Sequence, residues 1–100
     1  MEDNEITFDE IRSLNRSSVK RRILRYLKGF TGKITVLGLS RDIGSNYSNT
    51  YGAVFGDGKK YAFKGALVAM AMVSIEYCED GSILCNITRK GIAAADLIKE

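Results

Sequence analysis

One hundred residues, 45% of them apolar, suffice for one modest core and exclude two. With no histidine and two cysteines, Ser-His and Cys-His nucleophile pairs and an ordinary tetrahedral zinc site are excluded. The net charge of +3 is uneven: residues 1–10 hold five acids and no base, and the other ninety hold fifteen bases and seven acids.

In chain order, Thr7-Phe8-Asp9-Glu10 fits a capping box, with Ile6 and Ile11 placed for a hydrophobic staple, and predicts a short helix over 8–15. Ser17-Ser18 is a second start signal. From Val19 to Lys28 the apolar residues Val19, Ile23, Leu24 and Leu27 recur at helical spacing, opposite Lys20, Arg21, Arg22, Arg25 and Lys28. Gly29 stops that helix, the first of the core. From Arg12 to Lys28 there are seven bases and no acid, which suits either a polyanion partner or a solvated face.

Lys33-Ile34-Thr35 is long enough only for an edge strand, and Thr35 can cap a helix over 36–43 with Val36, Leu39 and Ile43 inward and Arg41 outward. Gly44 ends it in the left-handed conformation of a tight inter-helix turn. A second helix restarts over 47–55, capped by Asn46 or Ser45. Tyr51, Val54 and Phe55 can face its core side and Ser48, Asn49 and Gly52 its outer side. Gly52 costs about 1 kcal/mol relative to Ala in a helix, a cost that fits a close backbone approach. After Gly56-Asp57-Gly58 and the exposed Lys59-Lys60, the small and apolar residues of 61–71 predict a mostly buried helix.

Residues 73–88 read as a hairpin. With Glu79-Asp80-Gly81 as a three-residue loop, Tyr77 opposes Ile83 and Ile75 opposes Cys85. One face is then Val73, Ile75, Tyr77, Ile83, Cys85 and Ile87, all apolar, and a one-residue change of loop length would mix the faces. Cys78 and Cys85 fall on opposite faces, so no disulfide is expected. Thr88 caps a last helix whose Ile92, Leu97 and Ile98 offer apolar surface for a dimer or for docking within the chain.

These elements predict an α+β winged helix-turn-helix: a helical layer, a C-terminal β-hairpin wing and a terminal helix. An acidic N-terminal segment with a short capped helix occupies 1–16 and the winged-helix domain 17–100. Base edges in the major groove are read from the first turns of a recognition helix. Asn46, Tyr47, Ser48, Asn49, Thr50 and Tyr51 supply donors and acceptors there, with Arg41, Lys59 and Lys60 for phosphates. The same polar residues are also ordinary turn formers.

Over roughly 17–91 the chain resembles small archaeal winged helix-turn-helix proteins described as transcriptional regulators. The resemblance rests on the basic helix from Lys20 to Leu27, the Leu39…Ile43-Gly44 helix end and the segment from Ser48 to Gly56. Gly58-Lys59-Lys60-Tyr61 and the wing exit from Ile87 to Gly91 complete it. It implies binding of double-stranded DNA, often as a homodimer. Two features depart from the pattern: the wing tip Glu79-Asp80 is acidic, and the densest basic cluster lies on the first core helix. The alternative is a winged-helix protein-interaction module that binds no DNA. No GxxxxGK[ST] or GxGxxG loop occurs, so neither an enzyme nor a cofactor is expected. No apolar run nears the ~20 residues of a membrane span. The N-terminus lacks signal-peptide features, so no membrane partner and a cytoplasmic location are expected.

Overall fold

A computed structural model describes residues 5–30 and 32–98. Among them lie five helices and three strands in an α+β arrangement. The order is α1 (Phe8–Asn15), α2 (Ser18–Lys28), β1 (Ile34–Thr35), α3 (Val36–Ile43), α4 (Tyr47–Phe55), β2 (Val73–Tyr77), β3 (Ile83–Ile87) and α5 (Arg89–Leu97). Every helix begins at a capping side chain: Thr7, Ser17, Thr35, Asn46 and Thr88 each accept from the amide three residues on. At α1 the box is reciprocal, Glu10 N–H to Thr7 Oγ1 at 3.1 Å and Thr7 N–H to Glu10 Oε1 at 2.9 Å.

Helix α2 is the centre of the molecule and touches α1, α3, α4, α5 and β3. Its Val19, Ile23, Leu24 and Leu27 are buried, as the spacing requires. Its basic face is largely structural. Arg21 Nη1 donates to the carbonyls of Leu14 and Asn15 at 2.9 and 2.7 Å, at the end of α1. Arg22 Nη1 donates to the Ile43 carbonyl at 2.8 Å, at the end of α3. Lys28 pairs with Asp96 on α5. The two arginines thus satisfy carbonyls that helix C-termini leave without partners. Leu14 of α1 is fully buried in the same core, so the N-terminal helix packs as part of it.

The helix expected over 61–71 does not form; the segment is a run of turns. Its composition favours a helix, but two of its amides are taken by the end of α4. Leu67 N–H donates to Ala53 O and Val68 N–H to Val54 O, both at 3.0 Å. Ala71 closes the run at φ 60°, with Met72 N–H on Leu67 O. Helical propensity yields here to capping across elements.

The three strands form an antiparallel sheet in the order β1-β3-β2, with β1 the expected edge strand. The hairpin adopts the expected register, Tyr77 opposite Ile83 and Ile75 opposite Cys85. Gly81 sits at φ 90°, the value a three-residue bulged loop needs. Val73 and Cys85 are buried, but Tyr77 on the same face is 70% exposed, so the hairpin tip projects past the core. Cys78 and Cys85 are free thiols, and burial pushes the Cys85 thiol up to about 11. Thr88 Oγ1 donates to Ala71 O at 2.7 Å and accepts from Gly91 N–H, fixing α5 to the end of the turn segment.

Candidate nucleic-acid interface

Helices α3 and α4 are joined by a three-residue turn. Gly44 lies at φ 71°, ψ 32°, its N–H on Arg41 O at 3.2 Å while Ser45 N–H reaches Ser40 O at 3.0 Å. That paired closure is a Schellman turn and needs the left-handed residue expected at Gly44. Asn46 then caps α4, its Oδ1 accepting from Asn49 N–H at 2.7 Å. Since pairing with adenine uses both the oxygen and the nitrogen of an amide, capping leaves Asn46 only its NH₂.

The six expected base-reading residues separate into two groups. Tyr47, Ser48 and Tyr51 are exposed and Asn49 is half-buried on the outer face of α4. Thr50 is fully buried, its hydroxyl donating to Asn46 O at 3.0 Å, so it stabilises the first turn and faces away from any groove. The rings of Tyr47 and Tyr51 are tilted against each other at 6.0 Å between centroids, and Tyr51 against Phe55 at 4.6 Å, so a row of aromatic rings follows α4 from its exposed first turn toward the core. The expected facing of Tyr51 and Gly52 is therefore exchanged. Gly52 is buried, and a Cβ there would lie 2.4 Å from Cδ2 of Tyr61. The close approach that its glycine implied is to that ring.

Arg41, Lys59 and Lys60 are all exposed. Lys60 Nζ donates to Asn49 Oδ1 at 3.4 Å and sits 5.7 Å from the Tyr61 ring centroid, which brings an expected phosphate contact against an expected base reader. The loop that carries the two lysines is organised by Asp57, which the sequence reading does not single out. Its Oδ1 accepts from Lys59 N–H at 2.8 Å and Tyr61 N–H at 2.9 Å. Those backbone bonds hold its carboxyl below the usual range. The Asp57-Gly58 pair is the turn signal that could have pointed to it.

The hairpin tip borders the same face. Thr35, Leu37, Tyr47, Gly81 and Ser82 share one cleft, so the loop stands beside the first turn of α4. Asp80 at that tip accepts from the Ser82 hydroxyl at 2.6 Å and the Ser82 amide at 2.9 Å. These bonds lower its carboxyl pKa, so the tip is acidic and held in shape. Near the tip end of β2 Glu76 pairs with Lys33 at 2.5 Å. Among the described residues, no group of His, Cys, Asp and Glu side chains could hold a metal ion, and no helix is long and apolar enough to cross a membrane.

One protein-family model, described as EarA-like, matches residues 11–98. No curated protein and no solved structure matches the chain.

Proposed function

The chain belongs to the EarA-like family, and we propose that this member is a DNA-binding transcriptional regulator of winged helix-turn-helix architecture, acting as a homodimer. In this reading α3 and α4 are the helix-turn-helix, α4 enters the major groove, and the β2–β3 hairpin is the wing. The observation that carries it is the outer face of α4. A Schellman turn at Gly44 and the Asn46 cap set the helix, Ser48 is exposed on it, and half-buried Asn49 sits beside Lys60. Bases are read by the NH₂ of Asn46 and by Tyr47, Ser48, Asn49 and Tyr51. Arg41, Lys59 and Lys60 meet phosphates. The basic face of α2 takes no part, because Arg21 and Arg22 already close α1 and α3.

A salt-dependent titration on duplex DNA tests this. Each phosphate neutralised contributes about 0.9 to the slope of log affinity against log salt, so changing Lys59 and Lys60 together to Ala should flatten it by up to roughly 2. An unchanged slope removes both lysines from the interface. A second reading, a protein-interaction module of the same shape, draws on the acidic Glu79-Asp80 tip beside exposed Leu37 and Tyr47. Absence of any salt-dependent DNA binding by the full chain would favour that reading.

A further inference from the structure

On the side of the molecule where α1 meets α2 lies a cleft of about 590 Å³, within the size range of small-molecule sites. Arg12, Arg16, Lys20 and Lys60 line it against one carboxylate, Asp9. Lys20 is only 6% exposed, and among the described residues its ammonium has one partner, the neutral hydroxyl of Ser13 at 2.9 Å, and no ion pair. The Ser13 hydroxyl is itself fixed by donating to Gly65 O at 3.2 Å. A buried ammonium without a counter-charge is costly, and burial lowers its pKa.

The wall opposite is kept open. A Cβ on Gly65 would stand 2.7 Å from Ser13 Oγ and 3.3 Å from Lys20 Nζ. The floor is the first turn of α2: Ser17, Ser18 and Val19 border the cleft, and Ser17 caps the Lys20 amide. The amides of Ser18 and Val19 are then among those a helix leaves without an intrahelical partner. A cavity, a buried uncompensated cation, a rim of further cations and free first-turn amides together make a receptor for a compact polyanion.

We propose that this cleft binds a phosphate-bearing small molecule, its phosphoryl oxygens taken by Lys20 Nζ, the Arg16 guanidinium and the first-turn amides of α2. Lys20 lies too deep to reach the backbone of a duplex, so the ligand is a free phosphate or phosphate ester. Arg12, held 5.2 Å from the Phe8 ring centroid, and Lys60 stand at the rim as a second layer of charge.

Calorimetric titration of the full chain with inorganic pyrophosphate, at constant ionic strength set by sodium chloride, tests the site. One saturable site per chain is expected, together with a rise in melting temperature. Lys20→Met should weaken it at least about tenfold, the loss expected of one charge-assisted contact. That variant replaces a buried cation by an apolar side chain of similar length, so it should still fold. Arg16→Gln, an exposed change, provides a second reading should it not. Lys33→Ala, at an exposed lysine that pairs with Glu76 on β2 and does not line the cleft, should leave affinity unchanged. A wild-type chain that shows no saturable uptake at constant ionic strength overturns the proposal. So does pyrophosphate affinity that Lys20→Met and Arg16→Gln both leave intact. A 12-base-pair duplex in place of pyrophosphate separates the sources. If binding of the duplex alone depends on Lys20, the anion is DNA phosphate and the small-molecule site is wrong.

Discussion

At the scale of single residues, glycines decide where backbones and rings can meet. The Tyr61 ring lies flat against Gly52, where a Cβ would stand 2.4 Å from Cδ2 and 3.1 Å from Cε2 and Cγ. Tyr61 is itself buried and cannot swing to solvent without opening the core. Gly52→Ala is therefore expected to destabilise by about 1–3 kcal/mol through overpacking, despite the better helix propensity of alanine. For a chain of this size that lowers the melting temperature by roughly 4–8 °C per kcal/mol. Adding Tyr61→Leu should recover part of the loss, since the two changes share one contact. Simple additivity of the two in thermal melts would show that the ring is not what demands the glycine. The sequence marks Gly52 as a place of close approach, but it cannot say to what, because Tyr61 reaches it only after the intervening loop folds back over α4.

Between elements, long-range ion pairs tie the two ends of the chain. Lys90 on α5 reaches Glu10 on α1 at 2.7 Å, and both side chains are largely buried. Burial alone would raise the Glu10 carboxyl. The bonds from Lys90 and the Thr7 cap outweigh it, and the net pKa is lowered from the ordinary 4.5. A depressed carboxylate stabilises the fold above its unfolded pKa and loses that contribution as pH falls through the folded one. Glu10→Gln should thus cost roughly 1.5–3 kcal/mol at pH 7. Wild type and variant should converge once pH has fallen through the lowered folded pKa of Glu10, where both carry a neutral side chain at this position. Melting curves across pH check it, and a gap that persists at low pH would assign the effect to packing. The cap half of this site is legible in the sequence, because Thr7 and Glu10 are three residues apart, whereas Lys90 is not. The same division holds throughout. All five helix starts follow from local capping chemistry, and the hairpin register follows from a two-residue period and one glycine. The 61–71 segment is misread because its deciding partners, the carbonyls of Ala53 and Val54, lie outside any local window.

For the whole molecule, the question is what covers the ends. Of the apolar residues on and flanking the terminal helices, Leu14 is fully buried and Ile6, Ile11 and Ile98 are partly covered. That accounts for the reading in which the two ends pack within one chain. Phe8 at 76%, Leu97 at 59% and Ile92 at 39% exposure remain outside it. They lie on the two helices that the Glu10–Lys90 pair holds together, so they belong to one rigid part of the fold. Burial of apolar surface at about 25 cal/mol per Å² makes covering such residues favourable, and a two-fold axis lets each copy cover the other. In the proposed regulator the same axis would set two α4 helices on half-sites about 34 Å apart, one turn of DNA. Light scattering at micromolar concentration should then give a mass near twice the 11.1 kDa of the chain. Ile92→Glu with Leu97→Glu, both at exposed positions, should return it to 11.1 kDa without unfolding the domain. The same pair should weaken binding to a two-half-site duplex while leaving a single half-site unaffected. A wild-type mass of 11.1 kDa that persists as concentration rises would remove the dimer and leave one α4 to read DNA alone.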